Sequence, residues 1–446
     1  MKRLKILFLS HFVPYPPKGG CFQRNYNLLT RIAAVHDVHL IAMRHRSSTH
    51  PDDETSNARA ELLRYCKAVD IIDITANTQD GRMALSALGN LPRLMPLSAS
   101  IYESTPMRQR LHELRQTEQF NLAHFDTIGL AQYFDDVGDL PRVMTHHGAE
   151  SHMIRRRIQH EPSAIKRAYF VYEWLALQRY ERRQCPRFDA NIVMSADDGA
   201  ILKGIVPDAT FTPIENGVDL DFFTPVPTTT GSQALIFAGR LDQYSNRDGI
   251  LNFMQTAWPL VRQRHSDATI HIIGNNPPDA LKRMADDDPR VKVHGFVPDV
   301  RPFFRESAVM ICPLRDGGGT RIKILDGLAL GIPIVTTSVG IEGIAAVPER
   351  DLLVADSPEA FLQQISRVFS DSALRDQLAS NARRLAEQRY SWNSLAGDLD
   401  RLYGELVERH QQKAGATGQP LEPLSALLTA VPDGMRTGAA KRGSTE

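Results

Sequence analysis

Long apolar runs and cysteine are both scarce in this sequence, and each shortage excludes a class of protein. No stretch approaches the roughly 18 apolar residues that a membrane-spanning helix needs. The apolar run near the start covers only Ile6 to Leu9, too short for the core of a signal peptide, so we predict a buried first strand there. The four cysteines lie far apart, without a C-x-x-C pair. This argues against a disulfide scaffold or a zinc module and favours a reducing, cytoplasmic location.

An excess of charge of one sign is also absent. Lys plus Arg and Asp plus Glu each number 52, so the formal net charge is zero. The balance excludes a protein that binds nucleic acid through a general basic surface. With 42% hydrophobic and 23% charged residues, the composition is that of a globular protein. The 446 residues allow two or three domains at about 150 residues each.

Short apolar runs alternate with longer amphipathic stretches, which is the pattern of β-α units around a parallel sheet. Many runs are apolar at every position, as expected of strands that helices cover on both faces. In the first half we predict strands at Leu4–Ser10, Asp37–Met43, Val69–Ile74, Leu122–Asp126, Arg142–His146, Ala190–Met194 and Thr210–Ile214. In the second half we predict strands at Ala234–Ala238, Thr269–Ile273, Val291–His294, Val309–Cys312, Pro333–Thr337 and Leu352–Val354.

The two sets of strands are separated by a stretch at 215–233 that is rich in Pro, Thr and Gly and has no periodicity. A leucine-faced helix follows the second set, and after it the composition shifts to Gly, Pro, Ala, Thr and Ser. The predicted segments are an N-terminal domain at 1–217, a linker at 218–233, a C-terminal domain at 234–390, a crossover helix at 391–410 and a mostly disordered tail at 411–446. Two sheet domains joined in this way predict a ligand cleft beyond the carboxyl ends of the strands.

The most informative segment is VMICPLRDGGGTRIKILDGLALGIPIVTTS at 309–338. A strand is followed by three glycines, and Thr320 is placed to cap a helix that begins at about Arg321. Glycine lets the backbone approach a ligand, and a helix N-terminus offers free N–H groups to an anion such as a diphosphate. Arg321 and Lys323 in the first turn are unfavourable against the helix dipole unless an anion is present. The alternative is a glycine turn before a helix with a surface ion pair between Lys323 and Asp326.

Two further strand ends point to the same site. In FAGRLDQYSNRDG at 237–249, Gly239 and Arg240 follow a strand, where a fixed guanidinium can hold a phosphate with two hydrogen bonds. In VKVHGFVPDV at 291–300, Phe296 follows a strand whose loop can reach a base. Neither G-x-G-x-x-G after a strand nor G-x-x-x-x-G-K-[ST] occurs. Dinucleotide-dependent redox chemistry and P-loop hydrolysis are therefore weak interpretations.

The first half contains two comparable turns. In the loop after the first strand, Gly19 and Gly20 precede a helix whose first turn carries Arg24, which either faces the cleft or is solvated. In THHGAESHMIRRR, His146 and His147 alternate across a strand end, so only one should face the cleft.

Two alternatives exist for these histidines. One is a plain structural role. The other is a metal site of His146, His147 and His152, which is weak because the spacing is not a standard zinc pattern and no carboxylate or cysteine completes it.

Residues 152–185 hold eight Lys or Arg against three Glu, interleaved with large apolar side chains. A basic helix of this kind can lie on an anionic membrane surface. The alternative is an ordinary domain helix with a solvated basic face.

Several motifs together resemble family 4 of the retaining glycosyltransferases (glycosyl transferases group 1). The matching pieces are NGVDLDFF at 216–223, FAGRLD at 237–242, HGFVPDV at 294–300 and GGGTRIKILDGLALGIPIVTTSVGIEGI at 317–344. The resemblance is to the branch in which a GGGTRIK loop replaces the first Glu of the usual Glu-x7-Glu motif, whose two positions here hold Gly318 and Asp326. It implies an α/β GT-B fold, with two Rossmann-like parallel-sheet domains facing across a cleft and a C-terminal helix that packs back on the first domain.

On the donor side, the resemblance implies that Arg240 and Lys323 hold the diphosphate and act in catalysis. The other implied donor contacts are Gly239, a backbone cradle of Gly318, Gly319 and Thr320, assistance from Arg321, ribose binding by Asp326 and base contact by Phe296. Two departures from the family pattern matter. Many members have a lysine a few residues after the GR pair, where this chain has QYSNRDG, so Arg247 or Lys323 must serve instead. Asp326 is one methylene shorter than the usual Glu.

On the acceptor side, the resemblance places the loop of Gly19 and Gly20 near the transferred sugar, with Arg24 facing the cleft. It matches His147 to a histidine of the sugar site, with a catalytic role, and Glu150 to a nearby polar contact.

The resulting prediction is a retaining, hexosyltransferase-type glycosyltransferase that needs no metal and no cofactor. It would move a sugar from a UDP- or GDP-linked donor to a hydroxyl of a growing polysaccharide or lipid-linked glycan, in the cytoplasm or at the inner face of the membrane, with possible membrane contact through 152–185 and no nucleic-acid partner. The alternatives are a sugar-nucleotide epimerase or hydrolase on the same fold and a non-catalytic sugar-nucleotide-binding protein.

Overall fold

The first half of the chain forms a seven-stranded parallel sheet in the order β3-β2-β1-β4-β5-β6-β7. Its strands are β1 (Lys5–Ser10), β2 (Asp37–His45), β3 (Ala68–Ile74), β4 (Leu122–Phe125), β5 (Arg142–Thr145), β6 (Ala190–Val193) and β7 (Phe211–Pro213). Its helices are α1 (Gly20–Val35), α2 (Asp52–Leu62), α3 (Leu97–Ser100), α4 (Thr105–Thr117), α5 (Glu150–His160), α6 (Ala164–Gln184) and α7 (Ala196–Ile205), with short 3-10 turns at Ile128–Tyr133 and Cys185–Arg187. The computed structural model describes residues 2–17, 20–45, 52–74, 95–225, 231–316 and 321–415.

The second half forms a six-stranded parallel sheet in the order β10-β9-β8-β11-β12-β13. Its strands are β8 (Ala234–Ala238), β9 (Thr269–Ile273), β10 (Val291–Gly295), β11 (Val309–Cys312), β12 (Ile334–Thr336) and β13 (Leu353–Val354). Its helices are α8 (Tyr244–Thr256), α9 (Trp258–Arg264), α10 (Asp279–Asp287), α11 (Arg301–Glu306), α12 (Ile322–Leu330), α13 (Ser338–Ile341), α14 (Pro358–Ser370), α15 (Ser372–Arg389) and the C-terminal α16 (Trp392–Gly415).

Each sheet is covered on both faces, which explains why many of its strands carry apolar side chains on both sides. Along β1, Ile6 and Phe8 belong to one core cluster, and Leu7 and Leu9 belong to the cluster on the opposite face. This alternation is the two-residue period of a strand expressed with apolar side chains on both sides. Every predicted strand is present, and its ends lie within two residues of the predicted ones.

The C-terminal helix α16 packs on the first domain. Its apolar side chains lie in the same core cluster as one face of β1 and β2, namely Trp392, Leu395, Leu399, Leu402 and Tyr403. The predicted packing of this helix on the first domain is therefore confirmed. The helix continues to Gly415 rather than ending at 410. The rest of the predicted tail, 416–446, lies outside the described residues.

The chain crosses between the domains twice, and the two crossings lie side by side. On the first crossing, the Glu215 carboxylate accepts hydrogen bonds at 2.9 and 3.0 Å from Arg389, which ends α15. On the second, the carbonyl of Tyr390 accepts a hydrogen bond at 2.7 Å from the N–H of Val218. An added Cβ at Gly217 would lie 2.6 Å from the Trp392 ring, so the crossings are in close contact.

Candidate functional site

The carboxyl ends of the two sheets meet across a cleft in which two helix N-termini face each other. A Cβ added to Gly20, which begins α1, would lie 3.3 Å from Ile322 Cδ1 at the start of α12. At another point Arg156 of α5 lies 3.6 Å from Asp316 and 3.8 Å from Glu342 of the second domain. A cavity of about 300 Å³ separates this part of α5 from the loop after α13. The site can therefore draw residues from both domains.

Helix α12 provides the second-domain wall of the cleft. It begins at Ile322, one residue later than predicted, and Arg321 occupies the N-cap position without a side-chain cap hydrogen bond. Gly331 ends the helix with a left-handed φ of 64°, as the glycine there predicts. The predicted cradle of Gly318, Gly319 and Thr320 lies outside the described residues, and so does the predicted capping by Thr320.

The side chain of Lys323 extends from α12 to the end of β8. Its Nζ donates a hydrogen bond to Asn246 Oδ1 and lies 4.8 Å from the centre of the Phe237 ring. A Cβ at Gly239 would be 2.6 Å from this Nζ, so the glycine leaves the space that the ammonium occupies. Burial lowers the pKa of Lys323, which means that the ammonium is poorly hydrated and would gain from an anion.

Arg240 directly follows Gly239 and is about half exposed, with a side-chain accessibility of 54%. Its guanidinium donates to both carboxylate oxygens of Asp242, at 2.6 and 3.2 Å. That hydrogen bonding raises the pKa of Arg240. The structure thus brings Lys323 next to the residue that precedes Arg240, although the two cations lie more than 80 residues apart in the chain.

Asn246 joins these two cations, and sequence reasoning did not identify it. This buried side chain donates through Nδ2 to the carbonyl of Arg240 at 2.8 Å and accepts from Lys323 through Oδ1. Of the two basic residues that the sequence offered here, Lys323 reaches the turn, and Arg247 lies one position further along α8. The segment QYSNRDG has no lysine, and this absence was the sequence signal that a cation from another segment reaches the turn.

Asp326 lies one helical turn after Lys323. Burial raises its pKa to about 7, against the opposing charge of Lys323. Because the ammonium of Lys323 is hydrogen-bonded to Asn246, an ordinary surface ion pair with Asp326 does not describe this helix. Arg321 is partly buried, and burial lowers its pKa.

Phe296 stands at the mouth of an open pocket of about 550 Å³ beyond β9 and β10, with 65% of its surface exposed. The pocket is also lined by Asn275, Asn276, Pro277, Lys282 and Gly295. Two glycines allow the loops to come together: Gly295 has a φ of +66°, and a Cβ at Gly274 would lie 2.0 Å from the carbonyl oxygen of Gly239. An exposed ring beside amide groups can contact a flat, hydrogen-bonding ligand.

The first-domain wall contains a carboxylate between two histidines. Asp126 follows β4 and accepts hydrogen bonds from His11 Nδ1 at 2.9 Å and from His147 Nε2 at 3.1 Å. Burial alone would raise the pKa of Asp126, but the two imidazoles hold it far below its usual value. For His147, burial acts to lower the pKa and the charge of Asp126 overcomes it, so its pKa is raised. Sequence reasoning missed His11 and Asp126, although each directly follows a predicted strand or ends one.

His146 and His147 do point in different directions. His146 is buried, with its Nε2 3.1 Å from Asn191 Oδ1 and 3.8 Å from Cys185 Sγ, so it has a structural role. His152 lines the cavity between the domains. The three histidines of the predicted metal alternative therefore do not converge.

Within the described ranges, His11, Asp126 and His147 form one group whose possible ligand atoms lie within 4.8 Å of one another. The hydrogen bonds to Asp126 already use the ring nitrogens that face it, and these bonds account for the arrangement.

The expectation that Arg24 faces the cleft is wrong. Its side chain is 1% exposed and donates to the carbonyls of Ile214 at 2.8 Å and Glu215 at 2.5 Å, and to Asn216 Oδ1 at 3.3 Å. Arg24 therefore fixes the first crossing between the domains to α1.

Two other residues predicted on the acceptor side have different outcomes. Glu150 opens α5 next to His147, and burial raises its pKa. Gly19 lies outside the described residues.

The basic segment forms the antiparallel pair α5 and α6, which are neighbours in the fold. Two buried acids of α6 hold other helices: Glu173 accepts from the N–H groups of Leu97 and Ser98 at the start of α3, and Glu181 accepts from the N–H and hydroxyl of Ser151. The outer face carries exposed apolar side chains, namely Ile165 (84%), Val171 (36%) and Leu175 (51%), whereas Met153 lines the cavity between the domains. Two arginines lie over aromatic rings there, Arg155 on Trp174 and Arg157 on Phe170. None of the described helices is both long and apolar enough to span a bilayer.

Comparisons with known proteins agree with this architecture. Residues 232–371 match the family described as Glycosyl transferases group 1, and this range contains strands β8 to β13 of the second sheet. An uncharacterized 44.6 kDa protein in the cps region of Klebsiella pneumoniae is 23% identical over 404 residues, which are 86% of this chain and 96% of that protein.

Two solved structures show the same fold. Sucrose-phosphate synthase from Thermosynechococcus elongatus has a TM-score of 0.65 at 16% identity and covers 91% of this chain and 100% of its own. HepE from Anabaena in complex with UDP has a TM-score of 0.62 at 15% identity and covers 90% of this chain and 100% of its own. The predicted GT-B fold is confirmed.

Proposed function

We propose that the chain is a retaining, hexosyltransferase-type glycosyltransferase that moves a sugar from a nucleotide-diphosphate sugar to an acceptor hydroxyl. The observation that carries the proposal is the meeting of Lys323 from α12 with the Gly239–Arg240 turn at the carboxyl edge of the second sheet. Two cations beside a helix N-terminus suit a diphosphate. The family match over 232–371 contains all of these residues.

In the proposed reaction, the slow event is departure of the diphosphate, on which negative charge builds as the sugar carbon becomes cationic. Arg240, Lys323 and the N-terminus of α12 would stabilise this charge in the role that a metal ion has elsewhere. Each charge-assisted hydrogen bond contributes about 1.5–3 kcal/mol. The Arg240 guanidinium is held by Asp242 at 2.6 Å, so it would turn from Asp242 to the phosphate when the donor binds.

Retention is proposed to follow from attack on the same face that the diphosphate leaves. Asp126 is the buried carboxylate on the facing wall, and His11, His147 and Asn25 donate to it. With its oxygens engaged in this way, Asp126 is a poor nucleophile for a covalent intermediate. His147 would contact the transferred sugar, with Glu150 beside it.

The proposed donor is linked to UDP or GDP, with its base against Phe296 and its ribose near Asp326. The exposed ring at the 550 Å³ pocket supports this placement. Solved structures of HepE from Anabaena include complexes with UDP and with UDP-glucose, and they support UDP as the first donor nucleotide to test.

The proposed acceptor is a growing polysaccharide or a lipid-linked glycan, met on the cytoplasmic side of a membrane. The support is the outer face of α5 and α6, where Ile165 and Leu175 are 84% and 51% exposed among arginines and a lysine. Apolar side chains among basic ones fit a surface of anionic lipid, and binding to anionic vesicles measures this contact.

Release of nucleoside diphosphate from a panel of sugar nucleotides, with and without glycan acceptors, tests the proposal. We expect Arg240→Ala and Lys323→Ala each to lower kcat/KM by about 10- to 100-fold, the equivalent of one charge-assisted bond. The control is Arg262→Ala, which removes a cation of α9 that pairs with Asp288, and it should retain activity.

Full turnover by both cleft variants would contradict the proposal. Product formed at the same rate without any acceptor would instead indicate a hydrolase or epimerase. Nucleotide binding without turnover for every acceptor would indicate a non-catalytic binding protein.

A further inference from the structure

A carboxylate held between two histidines stands on the cleft wall of the first domain, and the proposed chemistry uses only one of the three groups. Asp126 is 1% exposed, whereas the side chains of His11 and His147 are 16% and 20% exposed. The three residues come from separate places, after β1, after β4 and after β5. A buried charge is costly unless it is paired and hydrogen-bonded, and His11, His147 and Asn25 supply the hydrogen bonds that Asp126 needs.

The hydrogen bonds determine which ring nitrogens carry protons. An ionised carboxylate only accepts hydrogen bonds, and the imidazoles keep Asp126 ionised. His147 must therefore carry a proton on Nε2, which faces Oδ1, and His11 must carry one on Nδ1, which faces Oδ2. Asn25, itself 3% exposed, donates to the same Oδ2 through Nδ2 and so limits rotation of the carboxylate.

The nitrogens that remain are Nδ1 of His147 and Nε2 of His11, on rings whose centres are 5.5 Å apart. Burial lowers the pKa of His11, whereas Asp126 raises that of His147. The other charged groups that act on His147 are Arg24, which opposes its protonation, and Glu150, which favours it. In either charge state, one nitrogen of each ring faces Asp126 and the other is turned away from it.

We infer that Asp126 is a positioning residue that fixes the orientation of both histidines and holds a proton on the nitrogen that each turns to it, so that Nδ1 of His147 and Nε2 of His11 are presented together to hydroxyl groups of the sugar. A hydroxyl group both donates and accepts, and a pair of this kind recognises neighbouring hydroxyls better than one ring alone. His11 is thereby assigned as a second sugar contact beside His147. The inference rests on the proposed function for the identity of the ligand and on the hydrogen bonds to an ionised Asp126 for the proton positions.

A matched control for this arrangement exists elsewhere in the domain. Asp136 is also a buried carboxylate that faces a histidine and an arginine, His112 at 2.9 Å and Arg108 at 2.5 Å. Its histidine side chain is 61% exposed and belongs to α4, away from the strand ends that form the cleft. Asp136→Asn therefore removes comparable hydrogen bonds without touching the proposed sugar contacts.

The test combines nitrogen-15 spectra of histidine side chains with kinetics. In the wild-type chain we expect the proton of His11 on Nδ1 and a proton of His147 on Nε2. In Asp126→Asn, the amide would donate to one of the two rings, which must then accept, so one histidine should change tautomer. We also expect kcat/KM to fall on the order of 100-fold because the contacts are misplaced, with Asp136→Asn retaining wild-type spectra at both rings and full activity.

The outcomes separate the inference from the proposed function. Wild-type spectra with the opposite proton on either ring would overturn the inference even if Asp126→Asn failed to fold. Unchanged tautomers and unchanged kinetics in a folded Asp126→Asn would also overturn it. The expected tautomer change without turnover from any sugar nucleotide would leave the positioning role intact and contradict the proposed function.

Discussion

The side chain of Lys323 starts in the first turn of α12 and places its ammonium group at the end of β8. Asn246 receives the ammonium and also holds the carbonyl of Arg240. One amide thus fixes the ammonium of Lys323 and the backbone of Arg240, whereas a lysine at position 246 would repel Lys323. The chain meets the need for two cations with residues from different motifs.

Asp326 should make the stability of the protein depend on pH. Its pKa is raised from 3.8 to about 7, so between these values the folded chain keeps a proton that the unfolded chain has released. Stability therefore falls as pH rises through this window. We expect Asp326→Asn to be more stable, relative to wild type, at about pH 8 than at about pH 5, by up to about 1.4 kcal/mol per pH unit before solvent screening. Urea unfolding at both pH values measures the difference.

Asp279→Asn provides the control for that measurement. Asp279 is an exposed carboxylate whose pKa is lowered by Lys282, so it is ionised in both states across the same window. Its variant should differ from wild type by the same amount at both pH values. An equal difference at both pH values for Asp326→Asn would contradict the raised pKa.

At the residue scale, the sequence predicts side chains that end strands better than side chains whose partners lie far away. The turn of Gly239 and Arg240 and the exposed position of Phe296 follow from strand ends alone. Arg24 was misplaced because its partners, the backbone carbonyls around Glu215, lie about 190 residues further along the chain. Asp126 was missed because one acid at a strand end gives no signal until the neighbouring strands bring two histidines to it.

At the scale of elements, α6 combines two functions on opposite faces. Its inner face uses Glu173 and Glu181 to satisfy N–H groups at the start of α3 and α5, where carboxylates are favourable against the helix dipole. Its outer face exposes apolar side chains among basic ones. Because the inner face fixes the helix, the outer face is a rigid surface.

Membrane contact through this outer face predicts a clear effect of added acids. Ile165→Glu and Leu175→Glu should each reduce binding to vesicles that contain anionic lipid by about 10- to 100-fold, because each removes an apolar contact of about 1.5–3 kcal/mol. Sedimentation with anionic and with neutral vesicles measures the change. Val35→Glu is the matched control, since Val35 is 49% exposed at the end of α1. Equal binding of all variants to anionic vesicles would show that the basic face is exposed to solvent and does not contact a membrane.

The elements themselves could be predicted because a parallel strand covered on both faces leaves a continuous apolar run. Helix starts were less certain. The start of α12 was predicted at Arg321 from the capping preference of Thr320, but Arg321 takes the N-cap position. A capping residue signals that a helix begins nearby, whereas the backbone angles decide at which residue.

At the scale of the whole molecule, Arg156 of the first domain links the two domains. It reaches Asp316 and Glu342 at 3.6 and 3.8 Å, and an exposed pair of this kind contributes about 0.2–1 kcal/mol. We expect Arg156→Glu to replace attraction by repulsion and to open the cleft. The radius of gyration in solution scattering should increase, and KM for the donor should rise about fivefold.

Arg155→Glu makes the same change in charge one residue earlier, where the side chain lies over Trp174 and not in the cleft. It should leave both quantities unchanged. An equal effect of the two variants would show that the total charge of α5 changes the radius of gyration and KM, and that the contacts of Arg156 with Asp316 and Glu342 do not.

The position of α16 sets an order of events during synthesis. Leu395, Leu399 and Leu402 cover apolar surface of β1 and β2, which are translated before the second domain, whereas α16 is translated after it. Every strand of the second sheet is translated before α16. The domain that is begun first is therefore finished last, and its incomplete core must remain uncovered in the nascent chain while the second domain is being made.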